Sequence, residues 1–433
     1  MKRNIVFLLL ISLVTRCAIA EDAPSKPVPN TAEEQELMDM VSDLQTKLVA
    51  HFEEMAKITD GVEQARFFAQ HDAAREAIPK LLAFEERQRG THPGLMSLGV
   101  IVGLAASSGE LEGARYSGRR EALKRLPRYA NQIELTDILR LTNSGAFEPR
   151  CEQLFRALGV SPDADASVRD FSKLMFAEWL LGWKHGREYT EQRIRELDQG
   201  AEPQFPTERK FFAERLAVLP NAAQMKDWEK EAVELLRVVT KSDQALRRPA
   251  VQREGPQYCL VRFDAELTKT MPRLSEMAEG MLFKELHLQV GRDAPDFKVG
   301  LVSGNEWVLS AQQGKVVIIQ FSFKGCGPCE EMYPDLQAIQ KEYGPKVSIL
   351  SVMADEKQST AEEAVKLGKL TWDVHWDGFR GPLATRWAVS YHPTVYVLDS
   401  KGFVAGQDLR GKQLKQKVAE LAKRIDALRE PPP

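Results

Sequence analysis

Apolar positions along this chain follow two regimes that change near residue 285. Before that point they recur every three to four residues. Leu37, Val41, Leu44, Leu48, Phe52 and Met55 form the first stripe, the spacing of one helix face. Thr31-Ala32-Glu33-Glu34 ahead of it has capping-box form, and Asp60-Gly61 ends it. Helical stretches then alternate with breaks at Gly90-Thr91-His92-Pro93-Gly94, Asn143-Ser144-Gly145, Ser161-Pro162-Asp163 and Gln199-Gly200-Ala201-Glu202-Pro203. The longest predicted helix starts at Ser167-Val168-Arg169-Asp170, a second capping box, and carries Phe171, Leu174, Met175 and Trp179 on one side. No fixed repeat period emerges, so the pattern predicts an all-α array of helical hairpins rather than a regular tetratricopeptide solenoid.

After residue 285 short β-branched runs replace the helical stripe. Residues 297–302 and 306–309 flank Ser303-Gly304-Asn305, a hairpin signal. Strands are predicted at 316–322, 346–352, 394–398 and 403–404, with an edge element around Val374 and Trp376. Helices are predicted at 328–343, 360–367 and 413–428, with a helical turn at 383–387. Leu414, Val418, Leu421 and Ile425 give the last helix an inner face. Alternating strands and helices predict a mostly parallel sheet covered by helices. The chain is therefore multidomain, α followed by α/β.

Candidate chemistry concentrates after the central strand, in Phe321-Ser322-Phe323-Lys324-Gly325-Cys326-Gly327-Pro328-Cys329. Pro328 suits the first turn of a helix, where a missing N–H costs nothing. Cys326 then stands at a helix N-terminus and Cys329 one turn inside. Unpaired N–H groups and the helix dipole stabilise a thiolate at Cys326. The spacing lets Cys329 close a disulfide with it. An activated thiol beside a resolving thiol is the equipment for thiol–disulfide exchange. The alternatives are half of a zinc site or a structural disulfide. Zinc needs two further ligands at matching spacing, and neither His375 nor His392 supplies it.

Cys326-Gly327-Pro328-Cys329 resembles the active-site tetrad of thioredoxins, with strand before and helix after in the same order. Tyr391-His392-Pro393-Thr394-Val395-Tyr396-Val397-Leu398-Asp399 resembles the thioredoxin cis-proline loop and its following strand, and Val290-Gly291-Arg292-Asp293-Ala294-Pro295-Asp296-Phe297 the opening of the exported TlpA/ResA-like branch. The resemblance covers roughly the last third of the chain. It implies a thioredoxin-like domain in which Cys326 attacks and Cys329 resolves, while His392, Pro393 and Thr394 form the loop that pairs with an extended substrate chain. It implies no cofactor beyond the redox-active disulfide, a protein or peptide disulfide or thiol as substrate, and an upstream electron donor.

Three positions depart from the family. Its buried acid, six residues before the first cysteine, is Gln320, an amide that cannot take a proton from Cys329. The tryptophans near the tetrad are replaced by Gly325 and Ser322, and the ResA-like glutamate by Met332. Proton transfer is therefore open between Glu331 and His392. An imidazolium at His392 would stabilise the Cys326 thiolate and make the pair more oxidising, whereas Gly327-Pro328 suggests by resemblance a reducing pair.

Composition narrows the picture further. The chain has 433 residues, net charge −3 and 28% charged residues, which disfavours a nucleic-acid partner. Lys2-Arg3, an apolar run from Ile5 to Val14, and Ala18-Ile19-Ala20 read as a signal peptide cleaved after Ala20. That places the mature chain outside the cytoplasm, as in the periplasm, with no stable membrane span. Arg16 argues against a lipid anchor on Cys17. The uncharged run 95–108 is too short to span a bilayer and reads as a buried core helix. The expected organisation is 1–20 signal peptide, 21–30 flexible tether, 31–285 helical domain, 286–433 thioredoxin-like domain. Cys151 and Cys259 read equally as a disulfide or as free thiols. Trp179 and Trp183 read as core, with a ligand groove the alternative. Two other functions compete with oxidoreductase. A peroxiredoxin-like peroxidase wants threonine where Phe323 stands. In the other, the helical array binds substrate or partner and the C-terminal domain is scaffold.

Overall fold

The computed structural model describes residues 29, 31–106, 113–143, 147–200, 207–246, 268–269 and 271–429. The predicted signal peptide, nearly all of the tether, and Cys259 lie outside them. Two compact units divide between Leu274 and Ser275.

The described part of the first unit is helical: α1 (Ala32–Lys57), α2 (Gly61–His71), α3 (Ala74–Arg87), α4 (His92–Ala106), α5 (Ala114–Arg125), α6 (Leu135–Thr142), α7 (Pro149–Val160), α8 (Ala166–Asp198), α9 (Glu208–Val218) and α10 (Ala222–Val239). Thr31 caps α1 through the Glu34 N–H at 3.2 Å. The cap of α8 is Asp165, whose carboxylate takes the Ser167 N–H at 2.8 Å, so the helix starts before the predicted capping box at Ser167. The uncharged run becomes α4, with Leu95, Leu98 and Ile101 wholly buried. Trp179 is core and stacks on Phe147 with ring centroids 5.5 Å apart. Burial also takes in charge. Glu85, with no exposed surface, accepts from Arg125 at 2.7 Å and from Tyr129 at 2.9 Å, the pairing a desolvated carboxylate requires. Cys151 is a buried free thiol whose pKa burial pushes up to about 11.

The second unit contains most of α11 (Leu274–His287) and the hairpin β1 (Lys298–Gly300) and β2 (Glu306–Val308). Then come β3 (Val316–Ser322), α12 (Gly327–Glu330), α13 (Tyr333–Tyr343), β4 (Val347–Met353), α14 (Gln358–Lys366), β5 (Asp373–Trp376), α15 (Pro382–Arg386), β6 (Thr394–Leu398), β7 (Val404–Gln407) and α16 (Gly411–Arg429). The main sheet runs β5-β4-β3-β6-β7. Pairings β3–β4 and β4–β5 are parallel, whereas β3–β6 and β6–β7 are antiparallel. The sheet is thus mixed rather than mostly parallel: β6 runs against β3, and the short turn from β6 to β7, which leaves no room for a crossover, makes that pair antiparallel as well.

Every residue of β3 is buried, which explains its continuous apolar run. Strand periodicity sends Val316 and Ile318 to one face, against Leu336 of α13, Ala361 of α14 and Leu414 of α16. Val317, Ile319 and Phe321 face the other, against Trp307, Leu383 and Trp387. Two covered faces make β3 the rigid post from which the next turn is hung. The predicted helix 328–343 is broken into α12 and α13. Pro334 has no N–H for the Glu330 carbonyl, and its ring crowds that carbonyl.

Candidate active site

Ser322 ends β3, and the chain turns over Phe323, Lys324 and Gly325 into Cys326. Gly325 has φ +85°, a left-handed backbone that glycine adopts without a Cβ penalty and tryptophan does not. Cys326 is the N-cap of α12, and its carbonyl accepts from the N–H groups of Cys329 at 3.0 Å and Glu330 at 2.9 Å. Gly327 and Pro328 form the first turn. Cys326 and Cys329 are disulfide-bonded, with Cα atoms 5.2 Å apart. Cys326 keeps 5% exposure, and Cys329 has none.

Gln320 is wholly buried at the position of the family's acid. Its amide joins a chain of neutral groups. Trp372 Nε1 donates to Ser351 Oγ at 2.8 Å, Ser351 Oγ donates to Gln320 Oε1 at 3.1 Å, and Gln320 Nε2 reaches the Cys329 carbonyl at 3.5 Å. Met332 Sδ lies 3.9 Å from the same nitrogen. These contacts satisfy a buried amide that would otherwise cost free energy, and none of their members titrates near neutral pH.

The ionisable groups lie around the turn. Glu330 accepts from the Gly325 N–H at 3.0 Å and from Lys369 Nζ at 2.9 Å, and the lysine holds its carboxyl below the usual range. Glu331 is exposed. His392 precedes Pro393, joined to it by a cis peptide bond, and meets Phe323 edge to face with centroids 5.4 Å apart. Its Nε2 is buried without a hydrogen-bond partner, and burial lowers its pKa. Thr394 Oγ1 donates to the Tyr391 carbonyl at 2.7 Å, and Arg410 donates to the Pro393 carbonyl at 3.0 Å, so the loop is held by its own threonine and by an arginine beyond β7. Phe323 and Tyr391 remain exposed on this side. The sequence reading missed Asp355, a buried acid bonded to the Lys324 N–H at 3.1 Å. Nothing in its local sequence distinguishes it from a loop aspartate.

A cysteine pair with two residues between its members, disulfide-bonded at the start of a helix on a five-stranded mixed sheet covered on both faces, is the arrangement of a thioredoxin-like thiol–disulfide oxidoreductase. The AhpC/TSA family matches residues 290–407. Thiol-disulfide oxidoreductase ResA of Bacillus thuringiensis subsp. konkukian (strain 97-27) is 30% identical over 148 residues, 34% of this chain and 84% of that protein. Through this domain the chain belongs to the family of thioredoxin-like thiol–disulfide oxidoreductases to which ResA belongs. Thioredoxin-like protein YneN of Bacillus subtilis (strain 168) is 29% identical over 146 residues, 33% of this chain and 82% of that protein. Among solved structures, a thiol-disulfide oxidoreductase from Bacteroides fragilis NCTC 9343 is 26% identical, covers 30% of this chain and 99% of its own, and has a TM-score of 0.28.

Proposed function

We propose that the protein is an exported thiol–disulfide oxidoreductase that acts as a reductant or isomerase on protein or peptide disulfides. The observation that carries this is the asymmetry of the pair. Only Cys326 has any surface for an incoming disulfide to reach, and Cys329 has none. The Cys326 thiolate attacks one substrate sulfur, forming a mixed disulfide and expelling the other sulfur as a thiolate, which takes a proton from water. Cys329 then loses its proton and attacks Cys326 Sγ, re-forming the internal disulfide and releasing the second substrate thiol. An upstream donor returns the two electrons. His392, Pro393 and Thr394 line the strand-like contact for the substrate chain. His392, neutral and half-buried, is favoured over exposed Glu331 as the group that exchanges protons at this rim. The helical unit selects the substrate or docks a partner. Export rests on the Lys2-Arg3 and Ala18-Ile19-Ala20 pattern, and no described helix is long and apolar enough to cross a membrane.

Insulin reduction tests the reading. Wild type turns over, Cys326→Ser does not, and Cys329→Ser accumulates a mixed disulfide visible by mass spectrometry. Equal activity of Cys326→Ser and wild type would leave only a helical binding protein with a scaffold domain.

A further inference from the structure

Two residues beyond β4, Asp355 is 8% exposed. The backbone fixes it on both sides. The Ala354 N–H donates to the Ser322 carbonyl at 2.8 Å, and Trp376 Nε1 donates to the Asp355 carbonyl at 2.7 Å. Its carboxylate divides its work. Oδ1 accepts the Lys324 N–H at 3.1 Å, inside the turn that delivers Cys326, while Oδ2 is buried with no hydrogen-bond partner. A buried carboxylate with an idle oxygen is costly, and tying down one turn N–H would need only a serine or an asparagine. The carboxylate also stands apart from the chain beneath Cys329, which is neutral throughout.

The geometry points to Asp355 as a positioning residue of the redox pair: it anchors the turn that aims Cys326 and sets a negative charge behind the thiolate which that cysteine becomes. This rests on Cys326 being the attacking thiol. Lys324 and Cys326 are two residues apart, a reach of at most about 7 Å. Reduction by an external dithiol adds two electrons and one proton to the neutral disulfide, leaving Cys329 as thiol and Cys326 as thiolate. An ionised Asp355 opposes that new charge, so it raises the Cys326 pKa and makes the pair more reducing.

Other groups around Asp355 are accounted for. On the turn, the Lys324 ammonium pairs with Glu363 of α14 at 2.5 Å. On α13, the Tyr333 hydroxyl meets Ser322 Oγ at 3.3 Å. On α12, Glu330 is tied to Lys369, and from β5 the Trp376 indole donates to the Asp355 carbonyl. Glu356 and Lys357 follow in the chain. Burial raises the Asp355 pKa, which the neighbouring Lys324 charge and N–H partly offset.

The test is Asp355→Asn in the full chain, read by iodoacetamide alkylation of Cys326 against pH and by the reduction potential in a dithiol buffer. Asparagine keeps an acceptor for Lys324 and removes a charge that burial penalises, so the fold is retained. Asp355→Ser, smaller and equally uncharged, gives a second reading. The expected result is a lower alkylation midpoint, with the rate just below the wild-type midpoint roughly threefold faster or more. The potential rises, and the two profiles converge in acid, where the wild-type carboxyl is itself protonated. Superimposable profiles and equal potentials overturn the role of Asp355. Cys326→Ser separates the two layers. A fast thiol surviving there overturns the assignment of Cys326, and this inference with it. A fast thiol lost there but unmoved by either Asp355 variant overturns the Asp355 role alone.

Discussion

Replacing Gln320 by glutamate tests whether the floor of the site is as dry and neutral as its contacts imply. The side chain is wholly buried, hydrogen-bonded to Ser351 Oγ at 3.1 Å and next to the Cys329 carbonyl. A carboxyl fits the same volume. In its protonated form it can accept from Ser351 and donate to the carbonyl, so in acid the variant stays close to wild type. Its charged form has no cation within the contacts that surround the amide. Burial of this kind raises a carboxyl pKa by about 2–3 units, or ~3–4 kcal/mol. The sign follows from linkage. Folded pKa above unfolded pKa means that the folded state holds the proton more tightly. Stability is therefore intact below the unfolded value and is lost as pH rises through the folded one. Urea unfolding of Gln320→Glu and wild type at about pH 4 and about pH 8 should show near-equal stability in acid and a deficit of ~3–4 kcal/mol in base. A difference that is the same at both pH values would refute the argument, since it would mean that water reaches the site and solvates the charge. The same variant should speed release of a mixed substrate disulfide once pH exceeds the folded pKa of the introduced group, because only there is it a carboxylate that can take the Cys329 proton.

Three further outcomes follow from the same contacts. His392→Ala should flatten the acid limb of stability. Burial keeps this imidazole neutral and lowers its pKa, so its contribution is full above the ordinary value of 6.5 and is lost as pH falls below it; thermal melts across that range check it. Glu85→Ala should cost about 3–5 kcal/mol in urea unfolding of the helical unit, because it strands the buried side of Arg125 and the Tyr129 hydroxyl. Gly280→Ala should destabilise by about 1–3 kcal/mol in thermal or urea unfolding even though alanine favours helix, because the Thr385 backbone carbonyl occupies the space of a Cβ on α11.

The sequence by itself settled whatever depends on neighbours along the chain. The stripes of α1 and α4, the β3 run, and the cysteine pair with its proline at a helix start are all local patterns, because periodicity and spacing act within a few residues. The position of Gln320 was legible from its offset to Cys326. What holds it was not, because Ser351 and Trp372 lie 31 and 52 residues further on and meet it only through the β3–β4 register. The split into α12 and α13 was visible in Pro334, yet the helical pattern around it masked the break. Tertiary structure alone decided the direction of β6 against β3, the burial of Cys329 beneath an accessible Cys326, and the contact of Asp355 with the turn. The physical reason is shared. Strand alternation tells which residues point together, but which strand lies alongside is chosen by packing both faces of the sheet at once, and that choice sets the charges around the sulfurs.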